Sequence, residues 1–272
     1  MLARRCFSYA RRLKTWGQVM RQIDGAAASD RSSLRRAAAA GIWSSFANLD
    51  DWQDPILIHD AEVVSKGVGR FKVRANTDDL SHVLPAREPA VLGYISSHLR
   101  EGDIFVDAGA NIGFYTVYAS KIVGPKGRVI AVEMMPDTAD VLRDHIELNG
   151  LENVEVIAKA LSEKGGDFVV ATVPEGKFGQ ASISRKGNNS ARRTRVETST
   201  LNHIVDRPVR LLKMDLEGAE LSALKGGLSV LNKVEAIIFE ELDGDARARQ
   251  LLIDKGFVIH RLDSNNLVAE SP

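Results

Sequence analysis

From residue 100 onward the chain alternates between short apolar runs and helical patterns, and this alternation restricts the fold more than any other feature. Six runs are predicted to be strands. They cover residues 104–106, 128–132, 154–157, 210–214, 236–239 and 257–260. Short strands separated by helices are typical of parallel sheets that carry helices on both faces. We therefore predict an α/β fold with a doubly wound sheet.

Two helical patterns and a terminal hairpin complete this arrangement. One helix is predicted to begin at Pro136, since proline suits a first helical turn, and to end at the turn-forming pair Asn149 and Gly150. His145 falls within this helix and is expected to pack or to lie at the surface. A second helix is predicted over residues 218–231, where three leucines recur on one stripe. They are Leu221, Leu224 and Leu228. The last two apolar runs predict an antiparallel hairpin.

The N-terminal part differs in character, because it is basic and its patterns are only partly helical. Residues 1–23 contain no acidic residue but six basic ones. These are Arg4, Arg5, Arg11, Arg12, Lys14 and Arg21. We predict an N-terminal extension over residues 1–75 and the main domain over residues 76–272. An arginine-rich segment without acids also suits an organellar transit peptide or weak contact with an anionic membrane surface, and both alternatives stay open.

Composition limits the partners and the compartment. Lysine plus arginine equals aspartate plus glutamate at 36 each, so the chain is not a polycation and no nucleic-acid partner is expected. The one cysteine, Cys6, excludes an internal disulfide and fits a reducing compartment, so a cytoplasmic location is expected. No uncharged apolar run approaches the ~18 residues that a membrane-spanning helix needs.

The turn after the first predicted strand of the sheet is the most informative motif. Residues 103–113 read DIFVDAGANIG, whereas a dinucleotide-binding turn has the spacing G-x-G-x-x-G and no acid near the pyrophosphate. Here Gly109 and Gly113 are four residues apart, and Asn111 takes the middle glycine position. Asp107 would repel phosphates. S-adenosylmethionine has no phosphate and carries a sulfonium and an ammonium group, so the turn favours this cofactor.

The acid at the end of the second predicted strand supports the same cofactor. Glu133 follows Gly113 by 20 residues, where an acid can accept hydrogen bonds from both ribose hydroxyls. Proteins that bind nicotinamide cofactors also place an acid there to bind the ribose, so Glu133 favours S-adenosylmethionine only in combination with Asp107. The alternative is a tight strand-to-helix turn with a capping carboxylate, followed by a surface acid.

The predicted strand at residues 210–214 continues into three polar residues that are candidates for catalysis. In LLKMDLEGAE, Lys213, Asp215 and Glu217 alternate, so they can project on one side of an extended strand end. Either acid can serve as a general base tuned by the lysine, or the two acids can hold a divalent cation. Alternatively, Glu217 and Glu220 occupy the first turn of the next helix. No His or Cys cluster accompanies these acids, so no metal site is assigned.

A long polar segment interrupts the alternation at residues 163–195. Its apolar part, DFVVATV, predicts a strand, and residues 174–195 predict a glycine-rich basic loop. The basic residues are Arg185, Lys186, Arg192, Arg193 and Arg195. They can attract an anionic substrate such as a phosphorylated sugar or an acidic glycan, or they are solvated charges without a ligand.

Four segments in order resemble the FkbM-type S-adenosylmethionine-dependent methyltransferases, over about residues 76–239. They read VDAGANIGFYTVYAS, VIAVEMMPDTADVLRDHIELNG, ETSTLNHI and LLKMDLEGAELSALKGG. The resemblance implies a Rossmann-like, seven-stranded methyltransferase domain over residues 76–272. It also implies methylation of an oxygen, commonly a hydroxyl group of a sugar, a glycan or a polyketide-type metabolite.

The resemblance also assigns residues to the cofactor, position by position. Five turn residues would surround its methionine part. They are Asp107, Gly109, Ala110, Asn111 and Gly113. Glu133 would bind the ribose, and Met134 would flank the adenine. Ala160 and Leu161, after the third strand, would lie beside the adenine ring, although core or rim packing is the alternative for Met134 and Leu161.

The leading prediction is therefore an O-methyltransferase that acts on a small-molecule or glycan hydroxyl group. A methyltransferase for an amine or a nucleic acid is the second prediction. Against it, the segment after the fourth strand reads MDLE rather than a proline-rich N/D-P-P-Y/F-type loop. A protein that binds an adenosyl group or a nucleotide without turnover is the third, since a fold alone does not establish activity. The acceptor and the oligomeric state stay open.

Overall fold

The computed structural model describes most of the chain. It covers residues 2–47, 54–173, 182–183 and 192–272. These residues form two compact units, one that ends at Pro89 and one that begins at Ala90. The domain boundary drawn from the sequence pattern, between residues 75 and 76, stays a prediction. Along the described ranges, no helix combines the length and the apolar character that crossing a membrane requires.

The first unit contains two long helices and a small antiparallel sheet. Its elements are α1 (Leu2–Gln22), β1 (Ile23–Gly25), α2 (Ala28–Ala47), β2 (Ala61–Ser65), β3 (Gly69–Val73) and α3 (Asp79–His82). The helical character of this part is confirmed, but its sheet, with the order β1–β2–β3, is not predicted from the sequence. These strands are three to five residues long, and so short a run gives little alternation to detect.

The second unit contains the remaining strands and helices. Its strands are β4 (Ile104–Ala108), β5 (Arg128–Val132), β6 (Val154–Ile157), β7 (Ala160–Leu161), β8 (Phe168–Val173), β9 (Arg192–Ser199), β10 (Val209–Met214), β11 (Val234–Glu240), β12 (Val258–Arg261) and β13 (Asn266–Glu270). Its helices are α4 (Pro89–His98), α5 (Phe114–Val123), α6 (Pro136–Leu148), α7 (Leu201–Ile204), α8 (Glu220–Lys225) and α9 (Arg247–Asp254). The sequence-predicted strands all occur, with ends shifted by at most two residues.

Seven of these strands form one sheet in the order β12–β13–β11–β10–β4–β5–β6. The pairs from β11 to β6 are parallel, and β13 pairs antiparallel with β11 and β12. The predicted doubly wound sheet and its C-terminal hairpin are therefore confirmed. The chain order reverses between β4 and β10, and open α/β sheets bind ligands at such a switch point, beyond the carboxyl ends of the strands.

Side chains alternate between the two faces of this sheet and build a hydrophobic core on each face. On β4, Val106 belongs to one core and Phe105 to the other, and Leu211 of β10 shares the core of Phe105. Alternate residues of a strand lie on the same face. Asp107 and Lys213 therefore lie on the face of Phe105, where α5 contributes to the core.

One of the two helix predictions is confirmed and the other is wrong in length. α6 begins at Pro136, as expected, but α8 ends well before the end of the range 218–231. A Cβ atom at Gly226, directly after α8, would lie 2.1 Å from the carbonyl oxygen of Ser162. Only glycine allows this approach, and beyond the end of the helix Leu228 is 39% exposed.

The basic segment predicted as a loop over residues 174–195 instead ends in a strand. Three of its arginines lie on β9, which pairs antiparallel with β8. They are Arg192, Arg193 and Arg195. The other two basic residues, Arg185 and Lys186, lie outside the described residues. The threonines and valine of RRTRVETS have strand propensity, which the neighbouring charges conceal in the sequence pattern.

Candidate active site

The two motifs that the sequence singles out meet at the switch point of the sheet. β4 and β10 are adjacent and parallel, with Asp107 opposite Lys213 in the register. Beyond the strand ends, the backbone N–H of Asp215 donates a hydrogen bond to the carbonyl oxygen of Ala108 at 2.9 Å. The glycine turn after β4 and the acidic segment after β10 therefore lie side by side.

The turn after β4 is held so closely that its first glycine has no room for a side chain. Gly109 has a φ of +85°, and a Cβ atom there would lie 1.9 Å from the carbonyl oxygen of Asp215. The N–H groups of Gly109 and Ala110 both donate to the carbonyl oxygen of Val132 at 2.9 Å. The turn is thus fixed between the ends of β10 and β5.

The rest of the turn also uses left-handed backbone conformations. Asn111 has a φ of +49° and Gly113 a φ of +91°. Among residues with a side chain, asparagine is one of the few that adopt such angles readily. A Cβ atom on Gly113 would lie 2.3 Å from Cδ1 of Leu142 on α6. Asparagine can therefore replace the middle glycine of the motif, whereas a side chain at Gly113 would meet both a left-handed backbone conformation and Leu142.

Glu133, directly after β5, is buried and closes the turn from the other side. Its two carboxylate oxygens accept hydrogen bonds from the backbone N–H groups of Asn111, at 2.9 Å, and Met135, at 2.8 Å. Burial raises the pKa of Glu133 to about 7; these two bonds oppose the rise, and the charges of Asp107 and Asp215 add to it. Each carboxylate oxygen has two lone pairs, so both retain capacity to accept a hydroxyl donor.

Asp107, at the end of β4, is completely buried. Its Oδ2 accepts a hydrogen bond from Oγ1 of Thr116 on α5 at 2.6 Å. Burial raises the pKa of Asp107, Lys213 and the Thr116 hydroxyl lower it, and the charge of Asp215 raises it further. Within the described structure, Oδ1 of Asp107 and Oδ1 of Asn111 are buried acceptors without a donor. Such groups are costly, so the turn has two acceptors that suit a ligand with N–H or O–H groups.

Lys213 and Asp215 form an ion pair at the carboxyl end of β10. Nζ of Lys213 lies 3.2 Å from Oδ2 of Asp215 and 4.8 Å from the ring centre of Tyr115. Lys213 is almost fully buried, whereas the side chain of Asp215 is 39% exposed. The buried lysine therefore orients the aspartate through the ion pair, and the aspartate carboxylate is partly exposed at the surface beside the turn.

Glu217 does not continue the alternation of Lys213 and Asp215, which corrects the expectation from the sequence. β10 ends at Met214, and Glu217 has a φ of +50°, so the backbone turns before that residue is reached. Glu220, the first residue of α8, accepts hydrogen bonds from the N–H groups of Leu216, at 2.8 Å, and Gly218, at 3.4 Å. Glu220 therefore stabilises the loop. A role for Glu217 in catalysis stays a prediction.

The residues expected to flank the adenine occupy different environments. Met134 is partly exposed after β5. Ala160 and Leu161 form β7, where both side chains are buried. Leu161 belongs to the hydrophobic core on the face of Val106. For all three residues, contact with the cofactor stays a prediction.

His145 supports the turn in a way that sequence reasoning did not identify. It is buried on α6, and its Nδ1 lies 2.7 Å from the carbonyl oxygen of Ile112, inside the glycine turn. The packing alternative is therefore the right one for this histidine. Its position three residues after Leu142, which packs on Gly113, is the signal that places both side chains on one face of α6.

Replacing His145 with leucine should destabilise the protein by about 1–3 kcal/mol, because the buried carbonyl group of Ile112 loses its donor. Urea unfolding measures the change. His145→Gln is the matched control, since the glutamine amide can still donate, and it should lose clearly less. Equal losses in the two variants would show that the hydrogen bond to Ile112 contributes little.

The candidate site carries an excess of negative charge. The charge of Asp215 raises the pKa of Asp107, and the charges of both aspartates raise the pKa of Glu133, whereas Lys213 lowers the pKa of Asp107. When all are ionised, three carboxylates and one ammonium group leave two negative charges, which repel phosphates and attract a cation. Across the described part of the chain, no group of three or more His, Cys, Asp and Glu side chains is arranged to hold a metal ion.

These residues fit S-adenosylmethionine. Its ammonium group would supply donors and positive charge for the acceptors of Asp107 and Asn111, and its ribose would supply hydroxyl donors for Glu133. A doubly wound sheet with a terminal hairpin, whose switch point attracts cations rather than phosphates, places the protein among the S-adenosylmethionine-dependent methyltransferases. Within that class the chain belongs to the FkbM family, because the family model described as "Methyltransferase FkbM domain" matches residues 107–259, more than half of its length.

Individual proteins similar to this chain include two named methyltransferases. The chain is 27% identical to methyltransferase sdnD of Sordaria araneosa over 204 residues, which cover 62% of this chain and 78% of that protein. It is 28% identical to the hexuronic acid methyltransferase AglP of Haloferax volcanii over 178 residues, which cover 65% and 72% of the two chains. A crystal structure of methyltransferase FkbM from Methylobacillus flagellatus is similar with a TM-score of 0.42 and 19% identity, over 71% of this chain and 54% of that one.

Protonation of Glu133 should set the pH dependence of cofactor binding. Because folding raises its pKa from 4.5 to about 7, its contribution to the stability of the ligand-free protein is present below about pH 4.5 and is lost as the pH rises through about 7. Ribose hydroxyls donate best to the ionised form. We expect the affinity for S-adenosylhomocysteine, measured by calorimetry, to rise about tenfold from about pH 6 to pH 8.

The variant Glu133→Gln is the control for this titration. It keeps the shape of the side chain but has no ionisable group, so it should bind S-adenosylhomocysteine more weakly and lack the rise with pH. An equally steep rise in Glu133→Gln would assign the titration to another group, such as Asp107, whose pKa is also raised.

Proposed function

We propose that the protein transfers the methyl group of S-adenosylmethionine to a hydroxyl oxygen of a sugar, a glycan or a small metabolite. The observation that carries this proposal is the position of Asp215. Its carboxylate is exposed at the carboxyl edge of the sheet, paired with the buried Lys213, and its backbone lies directly against the glycine turn. A proton acceptor therefore stands next to the cofactor turn, where an acceptor hydroxyl group can approach from solvent.

In this proposal different residues bind the two parts of the cofactor. Asp107 and Asn111 accept hydrogen bonds from the methionine part of the cofactor, and Glu133 accepts hydrogen bonds from the ribose. The bound cofactor supplies an electrophilic methyl group on a sulfonium. Gly109 allows the turn to reach the backbone of Asp215, which keeps the cofactor turn and the proton acceptor in register.

Asp215 acts as the general base. Methyl transfer to a hydroxyl group is an in-line displacement, in which much of the rate comes from positioning the two reactants. A carboxylate within hydrogen-bond reach of the hydroxyl group orients it and accepts its proton as the carbon–oxygen bond forms and the carbon–sulfur bond breaks, which leaves S-adenosylhomocysteine. Lys213 restricts the aspartate to one orientation and keeps its charge compensated while no acceptor is bound.

The similarity to AglP, named a hexuronic acid methyltransferase, supports a saccharide as the acceptor. A transfer assay with S-adenosylmethionine labelled in its methyl group tests the proposal. We expect label on hydroxyl groups of saccharides or small metabolites, with the position of the new methyl ether determined by NMR. Label on amines or on RNA instead would contradict the proposal, and so would the absence of transfer to any hydroxyl acceptor by a protein that binds the cofactor.

A further inference from the structure

The ribbon formed by β8 and β9 has one buried face and one exposed face. In its antiparallel register Phe168 pairs with Glu197, and Val170 pairs with Arg195. The side chains of these four residues lie on the outer face, because alternate residues of a strand share a side. The opposite face is buried through residues such as Val196. The ribbon therefore presents one surface to its surroundings.

This outer face exposes apolar side chains next to a positive charge. Phe168 is 55% exposed and Val170 is 52% exposed. The guanidinium group of Arg195 lies 4.0 Å from the ring centre of Phe168, a cation–π contact that restricts the arginine before any ligand binds. Restricting a long side chain in advance lowers the entropy cost of binding. The arrangement is suited to a ligand with both apolar and anionic groups.

The positive charges of this face have no acidic partner among the residues that the structure describes. Glu197 forms an ion pair with Lys159 at 2.7 Å, so that acid is already neutralised. Arg193, two residues before Arg195 on the same side of β9, is exposed. Neither arginine has an ion-pair partner in the part of the chain that the structure describes. The outer face thus offers two guanidinium groups to an external anion.

The same ribbon leads to the proposed cofactor edge. β9 pairs with β7, where Thr198 is opposite Ala160, and β8 lies on the other side of β9. Neighbouring strands are ~4.8 Å apart, so Phe168 lies about two strand spacings, ~10 Å, from the β7 residues that are expected to flank the adenine. From there the arginines continue outward along β9. Since β7 follows the carboxyl end of β6, the ribbon extends from the sheet edge that also carries the glycine turn and Asp215.

We propose that the outer face of β8 and β9 binds the acceptor, and that the acceptor is an anionic saccharide. Guanidinium groups bind carboxylates and phosphates with paired hydrogen bonds, and Phe168 and Val170 pack against the apolar C–H face of a sugar ring. This inference rests on the proposed function, because it names the substrate class of the same site. A nucleic acid is disfavoured, since its recognition uses several aromatic side chains for stacking and the face carries one.

The test compares two double variants that remove equal charge. Arg193→Ala with Arg195→Ala removes the guanidinium groups of the face, and Lys233→Ala with Lys255→Ala removes two exposed lysines elsewhere in the same unit. The probes are fluorescent oligogalacturonate, a phosphorylated mannan oligosaccharide, neutral maltooligosaccharide and a single-stranded RNA. Binding is followed by anisotropy at physiological ionic strength, and thermal unfolding confirms that each variant is folded.

We expect the unsubstituted protein to bind at least one anionic saccharide about tenfold or more tightly than the neutral one. The arginine variant should lose about tenfold in affinity for it, and the lysine variant should stay within about twofold. The tighter of the two anionic probes then identifies the acid as carboxylate or phosphate. Equal binding of neutral and anionic probes, equal effects of the two double variants, or tighter binding of RNA that depends on the arginines would overturn the inference.

Failure of this inference can be separated from failure of the proposed function. If hydroxyl groups are methylated and the arginine variant leaves KM unchanged, the proposed function stands and the acceptor face is wrong. If an anionic saccharide binds through the arginines but no hydroxyl group of any acceptor is methylated, the face stands and the proposed function fails. In both cases the affinity for S-adenosylhomocysteine should be the same in the parent protein and the arginine variant.

Discussion

Replacing Asp215 with asparagine should lower kcat about 10²- to 10⁴-fold, which is the usual contribution of general acid–base catalysis. The amide keeps the size of the side chain and an oxygen for the hydrogen bond from Lys213, but it cannot accept a proton from the acceptor. We expect the affinity for S-adenosylhomocysteine to stay within about threefold, since the turn and Glu133 are unchanged. The transfer assay and calorimetry measure the two quantities separately.

Glu217→Gln is the comparison that decides between the two candidate bases. If Asp215 is the base, Glu217→Gln should retain most of the activity, because Glu217 lies beyond the strand end with a different backbone direction. A large loss in Glu217→Gln with an active Asp215→Asn would move the role to Glu217. Asp245→Asn removes an exposed acid paired with Arg247 and should have no effect on either quantity.

Replacing Gly109 with alanine should have the largest effect on the fold of the site. The new methyl group would lie 1.9 Å from the carbonyl oxygen of Asp215, and a backbone atom cannot move aside as a side chain can. A left-handed conformation adds about 1–2 kcal/mol for alanine. We expect a loss of about 3 kcal/mol or more in the free energy of unfolding, together with weaker binding of S-adenosylhomocysteine.

Gly256→Ala separates the two contributions. Gly256 has a φ of +91° and no atom within 4 Å of its added Cβ, so this variant reports the cost of the backbone conformation alone. The difference between the two variants in urea unfolding then gives the cost of the contact with Asp215. If Gly109→Ala is no less stable than Gly256→Ala, the close contact between Gly109 and the backbone of Asp215 does not limit side chains at position 109.

The features that the sequence predicts well are those set by local periodicity and by turn chemistry. The strand that ends in Asp107, the helix that begins at Pro136 and the terminal hairpin each have a boundary signal of their own. The adjacency of Asp107 and Lys213 follows from the handedness and order of a doubly wound sheet. The strand positions of Asp107 and Lys213 therefore follow from the sequence pattern.

The features that the sequence does not predict depend on contacts between distant segments. Gly226, directly after α8, lies against the backbone of Ser162, and no pattern within residues 218–231 reports that contact. The hydrogen bond from His145 to Ile112 joins two elements 33 residues apart. Tertiary packing decided each of these, and local preference did not.

The attachment of the ribbon has a consequence for how such enzymes diversify. β9 joins β7 through two residue pairs, and the outer side chains of β8 and β9 face away from the core. Mutations there meet few packing constraints, whereas a single methyl group at Gly109 collides with the backbone. If the ribbon binds the acceptor as proposed, acceptor preference can change through its exposed side chains while Gly109 and the site around it stay unchanged.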